Sequence, residues 1–108
     1  MKLDKTAYLF KTEEVEVGRD FLGRPIYEAV TVPAYPFNME YEPYSSERAK
    51  ADMAINMVEV NYLMYTYPNK RLTLYTSFMY KDKTFKITYP PIEYDNHYEI
   101  LIQDTSNL

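Results

Sequence analysis

The sequence predicts a mainly β protein, a small antiparallel β-barrel or sandwich of about six or seven strands with one short helix in a mid-chain insertion, at about residues 41–57. Three observations predict it. Phe85, Ile87 and Tyr89 alternate with Thr84, Lys86 and Thr88, and Tyr98, Ile100 and Ile102 alternate with Glu99 and Gln103, interrupted by Leu101. That period of two belongs to half-buried strands. A single stretch carries a helical signal, and the regular strand–helix alternation that accompanies a parallel sheet is missing.

Taken in order, Thr6–Phe10 reads as a first strand, and Glu14-Val15-Glu16-Val17 as a strand with one face out and one face in. Gly18–Pro25 contains both glycines and a proline and forms a hairpin connection longer than the tight types. Ile26–Val32 follows as a strand whose glutamate suits a wet face. Pro33, Pro36 and Pro43 then punctuate a segment decorated by Tyr35, Phe37, Tyr41 and Tyr44. It reads as an irregular edge strand with bends, and its lone P-x-x-P spacing is weak as a polyproline signal.

Ser45–Ala54 is the helix. A serine can cap it, Glu47 lies in the first turn where the helix dipole favours negative charge, and alanine, arginine and lysine follow. Its apolar face is thin, Ala49 and Met53, so it must dock on its own body or on a neighbouring subunit. Val58–Tyr65 reads as a strand with Val58, Val60, Tyr62 and Met64 on one face, and Tyr67–Lys70 as a turn. Lys81-Asp82-Lys83 makes a tight hairpin between Phe78–Tyr80 and the strand from Thr84. Pro90-Pro91 stops that strand, because proline lacks the N–H a ladder requires. Asp95-Asn96-His97 turns the chain back into the sheet.

At 108 residues, one domain spanning residues 1–108 is expected. No apolar run is long enough for a membrane helix, and Met1–Thr6 lacks the apolar core of a signal peptide. The absence of cysteine removes disulfide and thiolate-metal chemistry and points to a reducing cytoplasm. The net charge is −4, with basic residues scattered rather than gathered into a nucleic-acid footprint. Tyrosine occurs 13 times and tryptophan not at all. Tyrosines follow from β content and also furnish interfaces, and the two roles are compatible.

Catalytic chemistry finds little support. His97 is the single histidine and sits in a turn. Glu93 with Asp95, and Glu40 with Glu42, fall on one side of an extended strand as a glycosidase pair could, but both pairs adjoin prolines and turns, where solvated carboxylates are ordinary. Glu93-Tyr94-Asp95-Asn96-His97 is the one stretch resembling a metal cluster, with fewer acids than a hard-cation loop and no glycine at the bend. Lys70, Arg71, Lys81 and Lys83 could meet phosphates, but Asp82 lies among them and a solvated hairpin tip is the simpler reading. No catalytic, cofactor-binding or metal-ligating residue is assigned, and an enzyme is not expected.

The stretch Tyr80-Lys81-Asp82-Lys83-Thr84-Phe85-Lys86-Ile87-Thr88-Tyr89-Pro90-Pro91, followed by Tyr98-Glu99-Ile100-Leu101, resembles a pattern close to Y-x-G-K-x-Y-x-I-x-x-P-P-…-Y-E-I-L. That pattern ends the small head-completion proteins of tailed bacteriophages, the head-closure or stopper kind of siphophages infecting Gram-positive bacteria. Ser46–Asp52 resembles their mid-chain helix start, E-R/Y-x-x-A. The layout matches over most of the chain, but the motif is specific only from Tyr80 onward. Asp82 stands where the family's last hairpin has glycine, which puts the turn type in doubt.

The resemblance implies a β-barrel subunit of a homo-oligomeric ring, commonly a dodecamer, in the virion neck and assembled in the host cytoplasm. Such a ring sits below the portal and its adaptor, retains packaged DNA without sequence-specific binding, and receives a tail-terminator or tail-completion protein. It involves no membrane and no cofactor. The mid-chain segment, with Tyr44, Ser46, Glu47, Arg48, Lys50, Asp52 and Met53, would then face the channel or dock on a neighbour, and Pro43–Asn56 would be mobile in the free monomer. Net negative charge suits a channel past which DNA slides. A tail-completion or other neck protein of the same virion is an alternative. A stand-alone β-barrel binding module with a concave aromatic pocket is another, and a small hydrolase using Glu93 and Asp95 a third.

Overall fold

The structure, a computed structural model, describes residues 2–55 and 58–106. The chain is mainly β. Among the described residues, strands β1 (Lys5–Arg19), β2 (Pro25–Pro43), β3 (Tyr62–Thr66), β4 (Ser77–Tyr80), β5 (Lys83–Ile87), β6 (Ile92–Glu93) and β7 (Tyr98–Asp104) form one antiparallel sheet, and a single helix, α1 (Ser46–Met53), lies between β2 and β3. The strand order is β3-β2-β1-β4-β5-β7-β6, and β3 also pairs with β7, so hydrogen bonding closes into a ring. β6 shares the β5 side of β7, at the other end of the strand. Closure removes the free edges around the body of the sheet, though not those of the outer parts of β1 and β2, which pair only with each other.

The ring encloses an apolar core of Ala7, Leu9, Phe37, Met39, Met64, Phe78, Phe85, Ile87, Ile100 and Ile102, with Leu72 and Tyr98 at its margin. An aromatic chain runs through it. Phe78 stacks on Phe85 with ring centres 5.4 Å apart and meets Phe37 edge-on at 5.4 Å. Tyr62 carries the contact from Phe85 to Tyr41 at 5.9 and 5.1 Å. A second apolar cluster lies outside the ring, where Tyr44, Ala49, Ile55, Val60, Leu63 and Leu101 are buried together. Leu101 interrupts the alternation of β7 for this reason: Tyr98, Ile100 and Ile102 face the ring interior, while Leu101 faces the helix. Leu63 does the same in β3, between Tyr62 and Met64.

Several expectations change. Thr6–Phe10 and Glu14–Val17 belong to one strand, β1, and Ile26–Val32 runs on through Pro33–Pro43 as β2. The prolines are accommodated by a bulge. Pro36 faces Tyr8, Tyr35 faces Leu9, and Pro33 faces Phe10, which leaves Ala34 as an extra residue. Pro33 and Pro36, three apart and so of opposite phase in a regular strand, thereby face positions two apart on β1 and share one phase of the ladder. The edge reading holds for β2 only up to Asn38, since β3 pairs with it from Met39 to Pro43. The mid-chain excursion therefore starts after Pro43 rather than near residue 41, and Asn56 and Met57, placed within it, lie outside the described residues.

Val58–Tyr65 is not a strand throughout. β3 begins at Tyr62; Val58 and Val60 pack against the helix cluster, while Tyr62 and Met64 face the ring interior. The chain crosses between the two sides at Asn61, whose N–H donates to the Ile102 carbonyl at 2.9 Å and whose Oδ1 accepts from the Asp104 N–H at 2.7 Å. The hairpin turn is tight as expected: Tyr80 pairs with Lys83, and Lys81 takes φ 53°.

Candidate functional site

The residues singled out in the mid-chain segment meet on one small element. Ser45 caps α1, its Oγ accepting from the Arg48 N–H at 3.1 Å, and Ala54 ends it in the left-handed conformation with its N–H on the Lys50 carbonyl. An isolated helix of this length would not persist in water. It persists by docking on the chain's own sheet. Ala49 is buried against Ile55, Val60 and Leu63, and Met53 packs on the same cluster. Tyr44 is buried beside it, and its hydroxyl donates to Asp52 Oδ2 at 3.0 Å while the Arg48 guanidinium lies 4.4 Å from its ring centre. Burial, then the hydrogen bond to Asp52, push the Tyr44 phenol up. Ser46 Oγ accepts from the Val60 N–H at 3.1 Å, fastening the helix start to the segment after it. Tyr44, Ser46, Arg48, Asp52 and Met53 thus hold the helix in place, and Glu47 and Lys50 are left exposed.

A second element was not singled out from the sequence. β1 from Lys11 and β2 up to Val32 pair only with each other, so the hairpin leaves the closed body as a two-stranded arm. At about 3.3 Å per residue the arm is roughly 30 Å long, and the molecule measures 62 × 28 × 22 Å. The valines expected to face inward are exposed instead: Val15 is 37% exposed and Val17 54%. At the tip Phe21 is 94% exposed and Leu22 64%.

The tip is nonetheless tightly built. Asp20 Oδ1 accepts from the N–H groups of Leu22 and Arg24, both at 2.9 Å, and its Oδ2 accepts from Arg24 Nε at 2.8 Å. Arg19 Nη1 donates to the Gly23 carbonyl at 2.8 Å, and Gly23 takes φ +82°, where a side chain would be strained. Donation from the Arg24 N–H above all holds the Asp20 carboxyl below the usual carboxylate range. A short network of this kind fixes the direction of an apolar pair that gains nothing from facing water. The adjacent Phe21-Leu22 between two glycines was the available signal.

The candidates for chemistry stay apart or are occupied. Glu93 and Lys70 border one shallow depression with Leu72, Pro90, Pro91 and Tyr98, and Asp95 is not part of it. His97 stacks on Tyr94, and its Nε2 lies 3.2 Å from Glu99 Oε2. Glu40 pairs with Lys5, whose ammonium holds the carboxyl low, whereas Glu42 accepts from the Tyr65 hydroxyl at 3.1 Å. Burial, helped by Glu42, pushes the Tyr65 phenol up to about 12. Among the described residues no group of three or more His, Cys, Asp or Glu side chains is placed to hold a metal ion, and no helix is long and apolar enough to cross a membrane. The basic residues have partners nearby: Arg71 stacks 3.9 Å from the Tyr35 ring centre, and Lys70 and Lys83 lie 3.9 and 4.0 Å from Glu93 and Asp104.

No family model matches the chain, and a search of curated proteins finds no significant match. Among solved structures, the solution structure of protein SF1141 from Shigella flexneri 2a is similar, with a TM-score of 0.66 over 99% of this chain and 96% of that one, at 11% identity. At that identity the likeness is one of fold.

Proposed function

We propose that this chain is a structural subunit of the neck of a tailed-phage virion, a head-closure or stopper protein that assembles in a ring between portal or adaptor and tail and retains packaged DNA. The observation that carries the reading is the projecting arm. A roughly 30 Å two-stranded arm with a firmly built apolar tip is costly to leave in water and useful to a part whose task is to hold neighbours. The pattern from Tyr80 to Leu101 supports the particular assignment, as does a small closed sheet that needs no partner for its own core. In this reading α1 presents Glu47 and Lys50 to the channel or to the adjoining subunit, and the arm makes longer-range contacts.

The test uses DNA-filled, tailless capsids of a siphophage infecting a Gram-positive host. The purified protein is expected to bind them and to stop leakage of DNA, measured by nuclease sensitivity. Capsids that neither take up the protein nor become nuclease-resistant would sink the assignment.

A further inference from the structure

We propose that the open edge of β2 from Ile26 to Val32 is a strand-pairing surface, and that the strand it takes is the same edge of a second copy of this chain, run antiparallel about a two-fold axis at Ala29. The contact goes beyond the neck reading and does not rest on it.

The arm leaves backbone groups without partners on both flanks. β1 from Lys11 and β2 up to Val32 pair only with each other, so among the described residues no strand lies against the outer side of either. A two-stranded ribbon is marginal in water, and further strands are what stabilise it. The two edges are guarded differently. Lys11–Val17 of β1 holds four charged side chains, Lys11, Glu13, Glu14 and Glu16, and charge along an edge keeps other strands off. Ile26–Val32 of β2 holds one, Glu28, among isoleucine, tyrosine, valine and threonine, the residues that favour strands. Ile26 is 45% exposed and Tyr27 58%. An unguarded edge of this kind is a template for an added strand.

The prolines say which strand fits. Tyr27 faces Glu16 and Pro33 faces Phe10, with the residues between them opposed one to one, so this part of β2 is regular. Proline has no N–H to give, and its place in a ladder is with its nitrogen on the open side. Pro33 is therefore turned to the open edge, and Tyr27, Ala29 and Thr31, of the same phase, show their N–H and C=O groups there. Pro25 and Pro33 bracket them, four residues to either side of Ala29. Turning a second copy about Ala29 sets Ala29 against Ala29, Tyr27 against Thr31, and Pro25 against Pro33. Each outward residue then exchanges both backbone bonds with its opposite, and neither proline blocks one. Moving the axis to any other residue of Ile26–Val32 sets a proline against Tyr27, Ala29 or Thr31 and loses bonds. A foreign strand has no use for brackets placed symmetrically about Ala29, and a second copy does.

The side chains agree with the backbone. Glu28 comes opposite Val30 rather than another acid, Ile26 comes opposite Val32, and Tyr27 meets Thr31, an aromatic and β-branched pair of the kind that stabilises sheets. Ala29 pairs with Glu14 midway along the arm, so the two bodies lie at opposite ends of a continuous four-stranded sheet. The contact is isologous and closes on itself, leaving other surfaces for a ring.

The chain has no cysteine, so disulfide trapping reads the register alone. Glu28→Cys protein is mixed with Val30→Cys protein and oxidised. These positions are opposite each other across the axis, whereas two copies of either are offset along the strand, beyond disulfide reach. The mixed dimer is expected to exceed both homodimers at least several-fold. Ala29→Lys added to both proteins sets two ammonium groups face to face and is expected to remove the excess; Ala29→Lys on one and Ala29→Glu on the other is expected to restore it. Ala29 is exposed in the single copy, so these changes leave the fold intact, as circular dichroism checks. Three dimers in statistical ratio, no dimer, an excess that survives Ala29→Lys on both partners, or a loss that the mixture of Ala29→Lys and Ala29→Glu leaves unrestored would overturn the proposal. Because trapping needs no capsid, a mixed dimer without capsid closure removes the neck reading and leaves the pairing standing. Closure without the mixed dimer does the reverse.

Discussion

Phe78 and Phe21 are the same residue in opposite situations, and truncating each to alanine tests the closed ring directly. Phe78 is 0% exposed, on β4, between Phe37 of β2 and Phe85 of β5. It is therefore enclosed only if β4 is joined to β1 on one side and β5 on the other. Removing a fully buried phenylalanine ring costs about 3–5 kcal/mol through lost transfer energy and the cavity left behind, and each of its two ring contacts accounts for about 0.5–1.5 kcal/mol beyond area. Phe21→Ala removes a ring that already stands in water, so the cost should stay within about 0.5 kcal/mol. Urea unfolding followed by circular dichroism reads the difference. With a slope of about 1–3 kcal/mol/M, Phe78→Ala should lower the midpoint by about 2 M while Phe21→Ala leaves it in place. Against a typical total of about 5–15 kcal/mol, the first variant also approaches the limit of folding. A Phe78→Ala cost under about 1.5 kcal/mol would mean that β4 and β5 do not seal the core, and the ring closure would be refuted. Equal costs for the two variants would refute the exposure of the arm as well.

Two further outcomes follow from the local chemistry. The Asp20 carboxyl is depressed in the folded chain, so its contribution to tip order is present above the ordinary carboxylate value of about 4 and is lost as pH falls through the lower folded value. The amide signals of Leu22 and Arg24 should move together below about pH 4, whereas amides of Phe78 and Met79 in β4, a strand with no carboxylate, stay fixed; tip amides unaffected by acid, or by Asp20→Ala, would contradict the network. Ser45→Ala removes the cap of α1 at a cost of about 1 kcal/mol, so hydrogen exchange at Arg48 and Ala49 should quicken about fivefold without change in β3 or β7. Exchange that does not respond would show that docking alone holds the helix start.

Local signals identified the strands and the helix, because they depend on short-range chemistry. Ser45 and Glu47 marked the start of α1, and the period of two placed Phe85, Ile87, Tyr98, Ile100 and Ile102 on the core face, whereas Tyr89, expected on that face, lies beyond the end of β5 at Ile87 and packs on the outer cluster, so the strand stops before Pro90-Pro91 is reached. Even the lapse at Leu101 was visible, although its cause was not, since it requires α1 to lie over β7. The gap drawn between Phe10 and Glu14 reflects charge density rather than a break in the strand, and the prolines of β2 were reconciled only by a bulge whose partner is far off in the chain.

The sequence by itself determined that the chain is mainly extended, that a serine-capped helix interrupts the strands, and that the tip of the first hairpin carries Phe21-Leu22 between glycines. Tertiary structure alone decided that β3 meets β7 to close the ring, that Asn61 carries the chain from one side of the sheet to the other, and that the alternating valines of the arm are left uncovered. The reason is physical. Alternation is a property of neighbouring residues, but burial is a property of whatever else arrives at that face. Val15 and Phe85 alternate with polar neighbours in the same way, and only the closing of distant strands around one of them made it core.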